Sequence, residues 1–366
     1  MSVPVVLDAR MADHPGIGRY IRQLAAAMLT QKNAPPFVFL GDEGAFSLPP
    51  FGADVQWRQA HSPIYSLAEQ IEIPRLAGKK ALLHVPHFNV PVFFRGRLVV
   101  TIHDLIYLHS PRVSKFFFAG AYARALFRHV EKSASAVITV SEYTKTDLLR
   151  HFPKIKPERV FVTHEAASGR FFKIKDEKLL IETKEKYGLH KPFALFVGTL
   201  KAHKNLPVLV EAMARLNQKP GADHDLVLVG RADPQNRLLS EAMSRHGNFI
   251  KSLGPLSDDD LPALYNLADT LVLPSLFEGF GLPVLEAMAC GTPVIASTGG
   301  SLPEVVGEAG LLFEPERIDA LVEHLYNVFQ KKDLREKLSV LGLQRAAQFS
   351  WEKTARETLA VYQACS

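Results

Sequence analysis

The chain has 366 residues, 47% of them hydrophobic and 22% charged, a composition typical of a soluble globular protein and unlike that of a disordered one. This length is too great for one ordinary core and predicts two domains of about 150 to 200 residues each. The net charge of +5 favours anionic partners such as nucleotides or acidic lipid headgroups. Because the sequence has no zinc-finger spacing, aromatic RNA-binding signature or long Lys/Arg run, we do not expect a nucleic-acid partner.

Three features bear on where the protein works. No apolar run approaches the roughly 18 to 20 residues that span a bilayer. The start, MSVPVVLDAR, lacks the basic and apolar regions of a signal peptide. The two cysteines, Cys290 and Cys365, make neither a disulfide framework nor a zinc site. We therefore expect a cytoplasmic protein.

Short β-rich runs alternate with amphipathic helical patterns along the whole chain. The predicted strands of the first half are PVVLDA (4–9), FVFLG (37–41), ALLHV (81–85), LVVTIHD (98–104), AVITVS (136–141) and VFVTH (160–164). Those of the second half are FALFVGT (193–199), DLVLVG (225–230), FIKSLG (249–254), TLVLPS (270–275), PVIAS (293–297) and GLLF (310–313). Predicted helices include 19–29, 142–152, 205–216 and 258–268. Continuous apolar strands that alternate with helices predict parallel sheets covered on both faces.

Two such sets predict an α/β protein of two doubly wound, Rossmann-like domains. The polar stretch 168–192 contains no predicted strand, so we place the boundary there. The expected parts are an N-terminal domain at 1–170, a second domain at 185–345 and a C-terminal segment at 346–366. The stretch 334–365 is helical throughout by pattern, and we expect its last helix to cross back to the N-terminal domain.

The stretch richest in candidate functional residues is SLFEGFGLPVLEAMACGTPVIASTGG, residues 275–300. Its pattern predicts one βαβ unit, with Pro283 in the first turn of the helix and Gly291 at its C-terminal end. The loop FEGFG then lies at the carboxyl end of a strand and at a helix N-terminus, the usual ligand crevice of such a sheet. There, glycine N–H groups can meet an anion, helped by the helix dipole.

Two carboxylates, Glu278 and Glu286, accompany this predicted phosphate site. They suit a ligand with hydroxyls on both sides of a diphosphate, which is a nucleotide sugar: one acid would bind the ribose and the other the hexose. The alternative is that Glu278 is a loop charge and Glu286 a solvated helix charge.

At this point the sequence resembles the family 4 retaining glycosyltransferases, whose signature pairs two glutamates as Glu278 and Glu286 are paired here. The resemblance covers nearly the whole chain and implies the GT-B architecture, in which two Rossmann-like domains face each other across a cleft. It is strongest toward mannosyl- and rhamnosyltransferases of bacterial surface polysaccharide assembly, including lipopolysaccharide. It implies transfer of a hexose with retention from a nucleotide sugar, with GDP-mannose favoured, to a glycan or lipid-linked acceptor.

The resemblance assigns roles to individual residues. His103 would lie against the transferred sugar, Lys204 would contact the diphosphate as the leaving group gains charge, and Glu278 would bind the sugar. Glu286 would bind the ribose. The remaining implied donor-binding residues are Gly16, Gly18, Gly198, Thr199, Gly230, Arg231, Gly279, Phe280, Gly281 and Leu282.

One position departs from the family pattern. Most relatives carry an arginine just after the glycine of the Gly198 loop, where this chain has Thr199. The two-cation clamp on the diphosphate is therefore in doubt. Lys201 or His203 could supply part of the charge, but a solvated loop explains both equally well.

We expect no cofactor and no metal, since the sequence shows no Asp-x-Asp motif or His/Asp cluster that would hold one. The segment 110–134 mixes three phenylalanines with Lys115, Arg124, Arg128 and Lys132, so a peripheral contact with an anionic inner-membrane surface is one expectation. A core helix with a solvated basic side is the other. Alternative functions are a glycoside hydrolase, a GT-B epimerase or phosphorylase, and a non-catalytic sugar-nucleotide-binding homologue.

Overall fold

The structure, a computed structural model, describes residues 4–14, 16–45, 55–109, 119–257 and 259–365. The chain divides into two compact units. Unit 1 comprises Met1–Glu165 together with Ser350–Ser366, and unit 2 comprises Ala166–Phe349. Each unit is built on a parallel β-sheet with helices between the strands. The predicted fold class, two Rossmann-like α/β domains, is confirmed.

Unit 1 contains a seven-stranded parallel sheet. Its strands are β1 (Val5–Asp8), β2 (Phe37–Leu40), β3 (Gln56–Arg58), β4 (Leu82–Val85), β5 (Arg97–Ile102), β6 (Ala136–Thr139) and β7 (Val160–Val162). Their order in the sheet is β3-β2-β1-β4-β5-β6-β7. Its α-helices are α1 (Ile17–Leu29), α2 (Glu69–Ala77), α3 (Ile106–His109), α4 (Ala119–Ser133) and α5 (Glu142–His151), with the last helix of the chain, α14 (Trp351–Ala364).

The central strands of unit 1 are buried along their whole length. Every residue of β1, β2, β4 and β6 is buried. This is expected of a parallel sheet whose two faces are both covered by helices, and it explains why these strands are apolar runs rather than alternating patterns.

A buried polar chain connects α14 to the sheet of unit 1. The Tyr362 hydroxyl lies 2.6 Å from His84 Nδ1, and His84 Nε2 lies 2.8 Å from Thr101 Oγ1, which in turn lies 3.1 Å from the Tyr20 hydroxyl. Burial lowers the pKa of His84 to about 3, so its ring is neutral. The C-terminal helix is therefore held by specific hydrogen bonds as well as by apolar packing.

Unit 2 contains a six-stranded parallel sheet. Its strands are β8 (Phe193–Val197), β9 (Asp225–Val229), β10 (Ile250–Gly254), β11 (Thr270–Leu273), β12 (Val294–Ser297) and β13 (Leu311–Phe313). Their order is β10-β9-β8-β11-β12-β13. Its α-helices are α6 (Glu177–Lys186), α7 (Leu206–Asn217), α8 (Arg237–His246), α9 (Leu261–Leu267), α10 (Leu282–Ala289), α11 (Leu302–Val306), α12 (Ile318–Gln330) and α13 (Lys332–Ala346).

The strand order reverses once in each sheet. In unit 1 the chain builds outward from β1 to β3 and then returns to place β4 on the other side of β1. In unit 2 the same reversal places β11 beside β8. At such a point the loops that leave two neighbouring strands diverge and open a crevice. The loops after β1 and β4, and those after β8 and β11, are therefore where ligand-binding side chains should lie.

The structure corrects three details of the predicted elements. The short strand β3 was not predicted. The stretch 168–192, in which no strand was predicted, contains helix α6, and the C-terminal helical stretch consists of α13 and α14 with a break between them. The second of these begins at Trp351, and the side chain of Ser350 before it accepts a hydrogen bond from Lys353 N (3.2 Å) and caps the helix.

The expected membrane-contact segment is only partly described. Its three phenylalanines and Lys115 lie outside the described residues, whereas Arg124, Arg128 and Lys132 are exposed on α4. Among the helices that the structure describes, none is both long enough and apolar enough to cross a bilayer.

Candidate active site

The strand-order reversal of unit 2 brings together the loops that follow β8 and β11. The backbone N–H of Leu276 donates a hydrogen bond to the carbonyl of His203 (2.8 Å), which joins the two loops directly. Beside this contact, Lys204 Nζ lies 2.6 Å from Glu278 Oε1. Two residues that lie 74 positions apart in the sequence, and that were predicted separately, therefore form one ion pair.

The Lys204–Glu278 pair is largely withdrawn from solvent. The two side chains are 16% and 12% exposed. Ser275 Oγ donates a second hydrogen bond to the same carboxylate oxygen (2.5 Å). Burial by itself raises the pKa of Glu278, but the charge of Lys204 and these hydrogen bonds outweigh it and lower the pKa. The carboxylate is therefore ionised, and the ammonium beside it keeps two further N–H groups with which to donate.

His203 adjoins the pair but adds no charge to it. Burial and then the neighbouring charge of Lys204 lower its pKa to about 4, so the ring is neutral near pH 7. Its Nδ1 is buried without a hydrogen-bond partner among the described residues. Lys201 is exposed and Thr199 half-buried. In this loop Lys204 is thus the charged, largely buried side chain, and whether His203 or Lys201 takes the place of the arginine stays a prediction.

Glycines shape the acidic loop. Gly281 takes a positive φ of 100° at the N-terminal end of α10, where no side chain caps the helix, and Pro283 lies in the first turn. The side chain of Phe280 is buried (4% exposed) against unit 2, so this residue can offer a ligand only its backbone. The N-terminal end of α10, with its partial positive charge, lies three residues from Glu278.

The turn after β12, for which the sequence predicted no role, holds the acidic loop in place. Ser301 N and Ser301 Oγ both donate to the carbonyl of Glu278 (3.0 and 3.2 Å). A Cβ at Gly300, where φ is 70°, would lie 2.2 Å from that same carbonyl oxygen, and one at Gly299 would lie 2.3 Å from the carbonyl oxygen of Ser275. The glycine pair after a predicted strand was the available sequence signal.

Glu286 lies deeper than Glu278. Its side chain is 1% exposed, and its Oε2 accepts a hydrogen bond from the buried hydroxyl of Tyr265 (2.8 Å). It is therefore not a solvated helix charge. Its predicted contact with a ribose stays a prediction.

The loops after β8 and β9 also pack closely against each other. Gly198 N donates to Val229 O (2.9 Å), and Leu200 N donates to Arg231 O (3.0 Å). A Cβ at Gly230 would lie 1.9 Å from the carbonyl oxygen of Gly198, so only glycine fits there. The side chain of Arg231 is exposed. Gly198 and Gly230 thus have a packing role whether or not a ligand contacts them.

In unit 1, the two glycines before and within α1 differ in their surroundings. Gly16 has a φ of 82°, and a Cβ there would meet no atom within 4 Å. At Gly18 a Cβ would lie 2.1 Å from the carbonyl oxygen of Ala12. Gly18 is therefore required for the close approach of α1 to the preceding turn, whereas the backbone at Gly16 is open.

His103, which follows β5, is engaged at both ring nitrogens. Nδ1 lies 3.0 Å from Glu165 Oε1, and Nε2 lies 3.0 Å from the carbonyl oxygen of Pro86. Burial alone lowers the pKa of His103, but the hydrogen bond and charge of Glu165 and the Pro86 carbonyl reverse this and raise it. Since both partners are acceptors, an imidazolium that donates from both nitrogens satisfies the geometry. Glu165 was not predicted, although it closely follows a predicted strand.

The strand-order reversal of unit 1 holds a buried charged cluster that was not predicted from the sequence. Arg10 donates to both oxygens of Asp8 (2.8 and 2.7 Å) and to Glu69 Oε2 (3.0 Å), and Asn89 Nδ2 donates to Glu69. The side chains of Arg10, Asp8 and Glu69 are 6%, 6% and 1% exposed. Two carboxylates against one guanidinium leave this crevice negative and rich in acceptors.

His87 lies at the edge of the same cluster. Together with Asp8, Arg10 and Asn89 it lines a small cavity. Burial lowers the pKa of His87 to about 3, and its Nδ1 has no hydrogen-bond partner among the described residues. The neutral ring thus directs an unsatisfied polar atom into the interior of unit 1, at the carboxyl end of β4.

A single group of described residues has the make-up of a metal site: His109, Asp147 and His151. The sequence showed no such cluster because His109 and Asp147 lie 38 residues apart. It lies on α3 and α5 of unit 1.

Comparison with known proteins agrees with the two-unit architecture. The family description "Glycosyltransferase Family 4" matches residues 15–166, and "Glycosyl transferases group 1" matches residues 178–344. Among solved structures, an Anabaena protein, Alr3699/HepE, in complex with UDP and glucose has a TM-score of 0.79 at 19% identity, covering 99% of this chain and all of that one. Sucrose-phosphate synthase from Thermosynechococcus elongatus has a TM-score of 0.78 at 22% identity, covering 99% and 98%.

Relatives with higher sequence identity are named mannosyltransferases. O-antigen chain mannosyltransferase B of Escherichia coli is 34% identical over 294 residues, which are 78% of this chain and 74% of that protein. The serotype-specific mannosyltransferase WbdA of Escherichia coli is 30% identical over 283 residues, which are 74% of this chain and 33% of that longer protein. With both family descriptions matched in order, and with a relative of this identity covered over most of its length, the chain belongs to glycosyltransferase family 4.

Proposed function

We propose that the protein transfers mannose from a nucleotide diphosphate sugar, with GDP-mannose favoured, to a hydroxyl of a glycan or lipid-linked acceptor, with retention of configuration. The observation that carries the proposal is the buried Lys204–Glu278 pair at the strand-order reversal of unit 2. The named activities of the mannosyltransferase relatives supply the choice of sugar.

The donor would bind where the loops after β8 and β11 meet. Lys204 keeps two donor hydrogens besides the one on Glu278, and these would bind the diphosphate. The uncapped N-terminal end of α10 would add N–H groups and its partial positive charge. Glu278, fixed by Ser275 and held ionised by Lys204, would accept hydrogen bonds from the sugar hydroxyls.

Transfer then needs the anomeric carbon–oxygen bond to break as the diphosphate gains negative charge. Lys204 and the α10 dipole would stabilise that charge without moving, which is the most effective form of electrostatic catalysis. The acceptor oxygen would bond to the anomeric carbon on the face that the diphosphate leaves, and its proton would pass to a phosphate oxygen. No metal is needed for these steps, since a fixed cation already lies at the site.

In unit 1, we propose that the crevice formed by Asp8, Arg10, Glu69 and Asn89 belongs to the acceptor side. Its excess of carboxylate and amide groups suits the hydroxyls of a sugar chain. Two roles carried by the resemblance remain proposals: a contact of His103 with the transferred sugar, and contacts of Gly16 and Gly18 with the diphosphate.

The membrane contact is also a proposal. Arg124, Arg128 and Lys132 recur at four-residue intervals and are exposed, so they share one face of α4. We expect binding to vesicles that contain anionic lipid, weakening as salt is added, because exposed charges are screened by salt. Co-sedimentation measures it, with neutral vesicles as the control. Absence of binding at low salt would remove the membrane from the proposal.

The test of the proposed function is a donor screen in two steps. We expect GDP-mannose to raise the melting temperature more than UDP-, ADP- or dTDP-sugars, because a bound donor stabilises the folded state by mass action. With a mannose oligosaccharide as acceptor and no added Mg²⁺ or Mn²⁺, we expect GDP release and a product whose anomeric configuration, read by NMR, matches that of the donor.

Each failure in the screen has its own meaning. Binding of a sugar nucleotide without transfer to any acceptor would favour a non-catalytic homologue. Hydrolysis of a glycan without any nucleotide requirement would favour a glycoside hydrolase. If no sugar nucleotide binds, the proposal is wrong.

Lys204→Ala and Glu278→Gln test the ion pair. We expect each to lower kcat/KM by about 10²- to 10³-fold, the usual cost of removing one stabilising group from a transition state. Lys337→Ala, at an exposed position of α13 in unit 2 to which no role is assigned, is the matched control and should stay within about 3-fold of wild type. Steady-state release of the nucleoside diphosphate measures both.

Stability must be separated from catalysis, because one charge of a buried pair left alone costs about 3–5 kcal/mol. The double variant Lys204→Met/Glu278→Gln leaves no unpaired charge and should fold, as judged by circular dichroism, while remaining inactive. A Lys204→Ala protein that keeps a third or more of wild-type kcat/KM would contradict the assignment.

The His103–Glu165 pair predicts a pH dependence of unit 1. Because the pKa of His103 is raised above the unfolded value of about 6.5, its stabilisation is fully present below that value and is lost as pH rises through the folded pKa. His84 and His87 have pKa values of about 3, so they lower the free energy of unfolding as pH falls below 6.5. Above pH 6.5 their contribution to that free energy is constant. The loss from His103 should therefore be visible above pH 7.

Both tryptophans of the chain, Trp57 and Trp351, lie in unit 1, so their fluorescence follows the unfolding of this unit in urea. We expect the midpoint to fall between pH 7 and 9 in the wild type and to change less in Glu165→Gln, which lacks the carboxylate. Glu158→Gln, at an exposed position of unit 1, should behave as the wild type. An equal change of the urea midpoint with pH in all three proteins would show that His103 is not charged.

A further inference from the structure

Three metal-ligating side chains converge in unit 1 away from the charged crevice. His109 is the last residue of α3, and Asp147 and His151 lie one turn apart on the same face of α5. His109 Nε2 is 2.6 Å from Asp147 Oδ2, and His151 Nδ1 is 3.3 Å from Asp147 Oδ1. One ligand atom from each residue lies within 4.8 Å of the other two.

We propose that His109, Asp147 and His151 bind one divalent transition-metal ion, of which Zn²⁺ is the representative. Two imidazole nitrogens and a carboxylate oxygen form a ligand set that such ions prefer, whereas Mg²⁺ and Ca²⁺ favour oxygen ligands. Ligand atoms bound at 2.0–2.1 Å around a tetrahedral zinc are roughly 3.3 Å apart. The two His–Asp separations are 2.6 and 3.3 Å and all three ligand atoms lie within 4.8 Å of one another, so metal binding requires the side chains to adjust.

The surroundings suit an ion that enters from solvent. The Asp147 side chain is 6% exposed, whereas those of His109 and His151 are 34% and 25% exposed. The carboxylate is thus the buried member of the cluster, and the two imidazoles are the members that solvent reaches. His151 Nδ1 also lies 3.0 Å from the Asp147 carbonyl oxygen, and metal binding would replace that hydrogen bond with a coordinate bond.

The position of the site indicates what the ion would do. Helix α3 begins directly after the His103 segment, where Asp104 Oδ1 accepts a hydrogen bond from Ile106 N (2.9 Å). Helix α5 contacts the same segment, since Thr144 Oγ1 donates to the carbonyl of His103 (3.2 Å). An ion shared by α3 and α5 would therefore tie together the two helices that hold His103. Its role is structural, and it takes no part in the transfer proposed at Lys204 and Glu278.

The experiment measures Zn²⁺ binding to the full chain without a polyhistidine tag, after removal of metal by a chelator and dialysis. Isothermal titration and elemental analysis should give one Zn²⁺ per chain, and Zn²⁺ should raise the melting temperature. Co²⁺ in its place should give visible absorption of a low-coordinate N/O site. We expect His109→Ala, His151→Ala and Asp147→Asn each to weaken Zn²⁺ binding about 100-fold or more, since even outer-shell changes cost 10- to 100-fold.

His246→Ala is the matched control, because His246 is also a partly exposed histidine near one carboxylate, with Nε2 3.6 Å from Glu211 Oε2. It should bind Zn²⁺ as the wild type does. Should His109→Ala fail to fold, His151→Ala, near the end of its helix, still decides the question. Absence of stoichiometric binding, or binding that survives in His151→Ala and Asp147→Asn alike, would overturn the site. The donor screen is read by binding and transfer of a nucleotide sugar and not by Zn²⁺ binding, so failure of the metal site and failure of the proposed function are distinguished by separate measurements.

Discussion

Parallel strand pairing with one reversal of strand order is the constraint on which the molecule depends. All strands of a parallel sheet end at the same edge, so their connecting loops gather there, and the reversal separates two of these loops enough to admit a ligand. In unit 2 the separated loops carry Lys204 and Glu278, and in unit 1 they carry Arg10 and Asn89. The topology of each sheet thus sets where the site lies, and the side chains on its loops set what the site can bind.

Charge is buried at these edges only where it is compensated. Glu278 lies against an ammonium and a hydroxyl, and Arg10 lies against two carboxylates. Such pairs are costly to desolvate and contribute little net stability compared with apolar packing. Such pairs instead fix a charged group in position, because a charge held by several partners does not reorganise when charge develops on a substrate. The neutral His84 shows the other outcome, in which burial without a countercharge removes the proton.

Local pattern predicted most of the secondary structure because buried parallel strands are continuous apolar runs. Strand β3 escaped prediction because Gln56 and Arg58 are exposed and only three residues form it, at the edge of the sheet. Helix α6 was missed because its residues are mostly charged and, of them, only Thr183 is buried. The break before α14 depends on the N-cap residue Ser350. One such residue within a long helical pattern did not indicate where the second helix begins.

The sequence by itself determined the strand and helix alternation, the loops at the strand ends and the paired glutamates that mark the family. These are local properties, set by the period of apolar residues and by glycine, which alone tolerates the backbone at Gly281 and Gly300. Tertiary structure decided the pairings: Lys204 with Glu278, His103 with Glu165, His109 with Asp147, and Tyr362 with His84. These partners lie 38 to 278 residues apart, and only the packing of strands and helices brings such residues within hydrogen-bonding distance.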